Sequence, residues 1–255
     1  MLDYDKEAER YDALRGGEPR AAAAAGAVLG LVPPRARSLL DVACGTGIVT
    51  RRLAAGRPGL RVTGVDLTPG MARRAAARLP GAVVLADSRR LPFRDREFDA
   101  VSSVWLLHLA RSAEEARTVV GECARVLRPG GVYVTTVDKA AAHNVGSDID
   151  AVLAARPRRA ARDAAEVVDS YALGHGLVPA GQARFTGRGQ GRSPRRTIAD
   201  LRRGWFMTLP PGSPLAEEFA ARLAALPDQD RPRPDPVFTL RAYRKPPEPP
   251  APRTP

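Results

Sequence analysis

Between residues 38 and 87 an acid falls at the end of each of three apolar stretches: Asp41 in "SLLDVACGTG", Asp66 in "RVTGVDL" and Asp87 in "AVVLAD". Two close glycines, Gly45 and Gly47, follow the first acid. Glycines there let the backbone approach a ligand closely, and ligands of open α/β sheets bind at the carboxyl ends of the strands. About 20 residues further on, Asp66 stands where a carboxylate accepts hydrogen bonds from both hydroxyls of a ribose. Asp87 can accept from the exocyclic amino group of an adenine held between apolar side chains. The run "ACGTGI" lacks the third glycine of the dinucleotide fingerprint and the lysine of a P-loop. Three carboxylates without a phosphate cradle suit a cationic nucleoside better than a polyphosphate.

These residues need elements to hold them. Strand-like runs "SLLDVA", "RVTGVDL", "AVVLAD", "FDAVSSVWLL" and "VYVTTVD" alternate with helical runs "IVTRRLAAG", "PGMARRAAARL" and "SAEEARTVVGECARVL", the last followed by the turn "RPGG". Such alternation predicts right-handed crossovers and a doubly wound α/β fold with a mostly parallel sheet. Beyond Asp138 the pattern predicts a helix "AARDAAEVVDSYALGHGL", a strand "QARFTG", a helical insertion over 193–226 and a last strand "PVFTLRAYRK". The two late strands would form an antiparallel hairpin at one sheet edge. The Pro-rich tail 246–255 reads as extended or disordered.

At 255 residues and 44% hydrophobic content, one domain of good size is expected. The start "MLDYDKEAERYDALRGG" carries acids where a secretion leader would carry a basic and then an apolar region, so secretion is not expected, and "AAAAAGAVLGLV", between Arg20 and Pro33, falls short of the roughly 20 residues of a spanning helix. A cytoplasmic location without membrane attachment is therefore expected. Cys44 and Cys123 are the only cysteines, too few for a disulfide framework or zinc cluster, and no metal is expected. The net charge of +12 is carried almost wholly by arginine, as in the chain of a GC-rich bacterium, although seven arginines crowd into Arg184–Arg203.

In this order and spacing the motifs resemble the class I S-adenosylmethionine-dependent methyltransferases, and within them the methyltransferase type 11 group. "LLDVACGTG" (Leu39–Gly47) matches that group's glycine motif, "GVDLTPGM" (Gly64–Met71) its ribose motif and "LADSRRLPF" (Leu85–Phe93) its adenine motif. "FDAVSSVWLLHL" resembles the strand lining the methionine end, and "YDKEAERYD" (Tyr4–Asp12) an N-terminal lid. The resemblance implies a seven-stranded Rossmann-like sheet with an antiparallel edge strand, lid helices in 1–30 and a cofactor domain over 31–245. It also implies S-adenosyl-L-methionine as cofactor and S-adenosyl-L-homocysteine as product. Residues implied at the cofactor are Tyr11, Arg15, Asp41, Ala43, Cys44, Gly45, Gly47, Asp66, Leu67, Met71, Asp87, Ser88, Ser103 and Val104. Ala43 departs from the group's pattern, which often has its first glycine there. Cys44 reads as a small tolerated residue rather than a nucleophile.

The cofactor chemistry so implied needs an acceptor held in line with the leaving sulfur. Orientation can supply about 7–11 kcal/mol and a base about a hundred- to ten-thousandfold in rate, so no catalytic residue is required. His108 and His143 are the candidate bases, each with a structural role as the alternative, and His175 reads as a helix cap. Trp105 is read as core or as pocket wall. Trp205, Phe206 and Met207 form an apolar cluster suited to a flat acceptor or to the buried side of the insertion. The expected substrate is a small organic molecule, a specialised metabolite, methylated on oxygen, nitrogen or carbon by a monomer or homodimer. No "NPPY" follows the fourth strand and no Pro-Cys pair occurs, so nucleic acid is not the expected partner. Two alternatives stand beside this reading. One is an RNA or peptide methyltransferase gripping its substrate through 184–203, and the other a non-methylating S-adenosylmethionine-binding protein.

Overall fold

The computed structural model describes residues 4–206 and 208–247. Seven strands, β1 (Ser38–Val42), β2 (Arg61–Asp66), β3 (Val83–Leu85), β4 (Phe98–Ser103), β5 (Leu127–Val137), β6 (Val178–Thr186) and β7 (Val237–Arg244), form one sheet in the order β3-β2-β1-β4-β5-β7-β6. The pairings from β3 to β5 are parallel, and β7 runs antiparallel to both of its neighbours. The order reverses between β1 and β4, which opens a crevice at their carboxyl ends. The expected late hairpin is present: β7 lies one place in from the edge and β6 closes the sheet.

The helices are α1 (Tyr4–Glu7), α2 (Tyr11–Leu14), α3 (Gly17–Leu31), α4 (Ile48–Gly56), α5 (Pro69–Arg78), α6 (Ala113–Val126), α7 (Lys139–Ala142), α8 (Asp148–Leu153), α9 (Ala165–Gly174), α10 (Pro194–Arg202) and α11 (Pro214–Ala224). Period-two alternation sends Tyr133 of β5 toward α6 and α9, and its neighbours Val132 and Val134 toward α3 and α4. Both sheet faces are thus covered, as buried parallel strands require. A third cluster is separate: Ile149 and Leu153 of α8, Leu201 of α10, and Phe219 and Leu223 of α11 form a small core of their own. The cap therefore draws in α8, outside the expected 193–226. Met207 and residues 248–255 of the expected tail lie outside the described residues.

Two expectations are corrected. The helix read from residue 160 begins only at Ala165. The Asp163 carbonyl accepts the Asp138 N–H, its carboxylate accepts the Lys139 N–H, and Asp138 accepts from the Ala165 N–H. These bonds tie the preceding segment to the end of β5. The "RPGG" turn lies within β5, looped out between the pairs Phe98–Leu127 and Ala100–Val132.

Gly47 shows how tightly the first crossover is built. It has φ of +75°, and a Cβ there would lie 2.8 Å from the Ala75 Cα in α5. Replacing it with alanine therefore combines a left-handed backbone with a clash. Gly47→Ala is expected to lose about 1–3 kcal/mol of stability in urea denaturation, whereas an unchanged midpoint would show that α4 and α5 can separate freely.

Candidate functional site

The link from β1 to α4 contains three left-handed residues, Ala43 (φ +58°), Gly45 (φ +58°) and Gly47 (φ +75°). Ala43 holds this conformation with a side chain, at some strain. The Asp66 carboxylate fixes the loop. One oxygen accepts the Gly45 N–H at 2.8 Å, and the other accepts the Thr68 N–H at 2.9 Å ahead of α5. Burial pushes Asp66 above the usual carboxylate range although these donors act against it. Asp41 sits below the loop and accepts from Thr50 and Ser102, each at 2.7 Å. It thereby joins β1 to α4 and β4. The Cys44 sulfur lies over Gly64, where a Cβ would come within 2.9 Å of it, and burial pushes the thiol well up, as suits an inert packing role.

These elements open onto a cavity of about 450 Å³, within the usual range for small-molecule sites. Tyr11, Arg15, Asp41, Ala43, Cys44, Gly45, Asp66, Leu67, Met71, Asp87, Ser88 and Val104, all expected at the cofactor, lie on its wall. Leu67 is 60% exposed beside Asp66, an apolar surface for a flat ring. Asp87 is engaged by the Arg89 guanidinium, which holds it below the usual carboxylate range. Two expected residues do not line the cavity. Gly47 is packed on α5, and Ser103 is fully buried with its hydroxyl against the Tyr133 hydroxyl (2.6 Å) and Thr135 (2.9 Å). Ser103, the last residue of β4, turns its hydroxyl toward β5, and Val104, in the turn just past the strand, lies at the crevice.

The N-terminal helices cover this end. The Asp12 carboxylate accepts from the Thr46 hydroxyl in the glycine loop and from Arg78 of α5, both at 2.6 Å, and the Asp5 carboxylate accepts from the Gly70 N–H. Sequence reasoning missed both acids, because their partners lie more than 30 residues away. Arg15 stacks on Trp205 of the cap, 3.1 Å from the ring centroid, and approaches Asp200 at 3.6 Å. Trp205 lines the cavity while Phe206 turns into the cap core, so the apolar cluster divides between the two expected roles. Trp105 also serves both. It packs edge-on to Phe185 and Phe238 at 5.7 and 5.5 Å and forms part of the cavity wall.

Both candidate bases face the cavity. His108 Nε2 lies 3.0 Å from the Lys139 ammonium, and burial together with that cation drives the imidazole well below its ordinary pKa. His143 packs edge-on to Phe238 and is likewise driven well down by burial and by nearby Arg192. His175 ends α9 with Nε2 3.1 Å from the Arg117 carbonyl and is not on the cavity wall. Lys139 went unread in the sequence. A lone lysine carries no local signal, and only the left-handed turn at Asp138 (φ +52°) brings it onto His108. Burial pushes its ammonium down to about 7. Among the described residues no three His, Cys, Asp or Glu side chains gather as metal ligands would, and no helix is long and apolar enough to cross a membrane.

Burial raises Asp41 from the usual 3.8 to about 6. The folded chain therefore binds more protons than the unfolded one between about pH 4 and pH 6, and the stability this gives, full below that window, is lost as pH rises through about 6. In Asp41→Asn, which keeps an acceptor without the charge, that dependence disappears. Urea denaturation at about pH 4 and about pH 7 should find the difference moving against the wild type by about 1–3 kcal/mol; a difference independent of pH would contradict the assignment.

Comparison with known proteins agrees with this geometry. A family model described as a methyltransferase domain matches residues 40–135. The ubiquinone/menaquinone biosynthesis C-methyltransferase of Desulfotalea psychrophila is 37% identical over 101 residues, 38% of this chain and 40% of that protein. The malonyl-[acyl-carrier protein] O-methyltransferase of Herminiimonas arsenicoxydans is 33% identical over 177 residues, 68% of this chain and 65% of that protein. The chain thus spans less than half the length of the first of these relatives and about two thirds of the second. A solved S-adenosylmethionine-dependent methyltransferase of Methanosarcina mazei shares the fold at 14% identity, with a TM-score of 0.54 over 87% of this chain and 97% of that one. Sheet order, the left-handed glycine loop tied to Asp66 and the match over residues 40–135 together identify a class I S-adenosylmethionine-dependent methyltransferase domain.

Proposed function

We propose that the chain transfers a methyl group from S-adenosylmethionine to a small organic acceptor, a specialised metabolite. The observation that carries this reading is one cavity with two unlike ends. At one end the glycine loop, Asp41, Asp66 and Leu67 fit a cationic nucleoside: two carboxylates, an apolar ring surface and a backbone that stays open. A Cβ at Gly45 would meet nothing within 4 Å, so that loop face is free for close approach. At the other end Trp105, His108, Lys139 and His143 form a wall for the acceptor.

When bound, S-adenosylmethionine supplies a methyl group already activated on a sulfonium, so the chain's own part is to orient and to exclude water. The N-terminal helices and the cap close over both ends and serve this purpose, and proximity of this kind can carry most of the rate. Burial and neighbouring cations hold both histidines in the neutral form; His108 has its Nε2 set against the Lys139 ammonium, which leaves His143 as the base for an acceptor that must lose a proton.

Several of the arginines of 184–203 are engaged within the protein. Arg192 and Arg196 turn into the cavity, Arg195 pairs with Asp230 and Arg203 with Asp200. This distribution favours a small acceptor over RNA or a peptide, and acceptor binding should not fall with salt as steeply as nucleic-acid binding does.

Isothermal titration tests the reading. The folded protein should bind S-adenosylhomocysteine with micromolar affinity, and Asp66→Ala should lose about tenfold or more. With a turned-over acceptor, S-adenosylhomocysteine should form in equal amount to methylated product. Binding without that stoichiometry would favour a non-methylating role, and no binding by folded protein would sink the proposal.

A further inference from the structure

The acceptor side of the cavity is strongly cationic. Arg15, Arg20, Lys139, Arg192 and Arg196 all reach its wall, where Asp200 is the acid beside them. That acid is already engaged: one oxygen accepts from Arg203 at 2.6 Å and the other faces Arg15. Asp163 and Asp150 act on Lys139 and Arg192 from behind the wall, and both carboxylates accept backbone N–H groups there.

The same wall carries unpaired donors. Arg20 is only 3% exposed, with its guanidinium 4.4 Å above the Trp105 ring, and its Nε has no partner. Trp105 Nε1 and His108 Nδ1 are also buried without partners, as is one acceptor, the Gln190 side-chain oxygen. Lys139 and His108 share the Nε2 contact, so when the ammonium donates there, His108 carries its proton on Nδ1, the unpaired side. Three buried donors of different kinds therefore line one wall, and each costs free energy until an acceptor meets it.

The charges also strain one another. Burial pushes Lys139 down to about 7 and Arg15 and Arg192 down to about 10; neighbouring cations add to this most at Lys139 and Arg192, while Asp200 acts against it at Arg15. An anion bound here would offset both the desolvation and the repulsion. Arginine forks match planar two-oxygen groups. Phe185 and Phe238 behind Trp105 make the surroundings apolar, which favours a monoanion over a more strongly hydrated phosphate dianion.

We propose that the methyl acceptor carries a carboxylate, held by Arg20, Arg192 and the Trp105 and His108 N–H groups, with a flat apolar body lying along Trp105. The proposal rests on the methyltransferase reading for its placement beside the cofactor, but its test can fail independently. Protein saturated with S-adenosylhomocysteine is titrated with benzoate, with the neutral isostere benzamide and with inorganic phosphate, following tryptophan fluorescence. Benzoate should bind saturably and about tenfold or more tightly than benzamide or phosphate. Arg20→Met and, separately, Arg192→Met should each weaken benzoate by about tenfold while S-adenosylhomocysteine affinity is unchanged. The retained nucleoside binding shows that each variant is folded. Equal binding of benzoate and benzamide, tighter binding of phosphate, no binding of benzoate, or benzoate affinity indifferent to both variants would overturn the proposal. Failure of S-adenosylhomocysteine to bind would instead overturn the methyltransferase reading.

Discussion

The site depends on one carboxylate at the end of the second strand. Asp66 uses both oxygens on backbone N–H groups, Gly45 of the glycine loop and Thr68 ahead of α5. One buried acid thus sets the separation of two successive crossovers, β1 to β2 and β2 to β3, on one side of the sheet's switch point. Without it, the left-handed run from Ala43 to Gly47 would have no anchor toward β2 beyond the Cys44 N–H to the Val65 carbonyl. Asp41 works one layer below, pinning the same loop's helix to β4 through Thr50 and Ser102. The loop is therefore held by charge-assisted bonds in a low-dielectric setting, where such bonds are strong and their geometry is narrow.

From that anchor the cavity acquires an electrostatic gradient. Asp41 and Asp66 lie at the glycine-loop end, and Arg15, Arg20, Lys139, Arg192 and Arg196 lie on the acceptor side with Trp105. A cationic cofactor and an anionic acceptor would each meet the complementary end, and opposite charges would draw their reacting groups together. The cover is made the same way. Asp5 and Asp12 bind the N-terminal helices to α5 and the glycine loop, while Arg15 stacks on Trp205 of a cap with its own small core. The cover thus relies on polar and cation–π contacts that join the N-terminal helices to α5, the glycine loop and the cap.

Much of this was legible in the sequence where the signal is local. Strand ends at Asp41 and Asp66, the glycine spacing and the alternation of periods two and 3.6 follow from short-range constraints, and the sheet formed accordingly. The late hairpin was legible too, because its two strands carry period-two patterning on either side of a charged helical stretch. Other features were not. The helical period continues through residues 160–164, yet the Asp138–Asp163 hydrogen bonds override it. Ser103 and Val104 are adjacent in one apolar run, and where β4 ends decides which of them reaches the crevice. Lys139, Asp5 and Asp12 gain their roles from partners 31 to 66 residues away, and no window along the chain contains such pairs.

The most direct test of the account is a crystal structure of the protein with S-adenosylhomocysteine. The account predicts the ribose on Asp66, the adenine beside Leu67, Asp87 and Ser88, and the homocysteine directed toward Trp105 and Lys139, with the loop from Ala43 to Gly47 unmoved. A nucleoside bound outside this cavity, or a glycine loop released from Asp66 to admit it, would contradict the account.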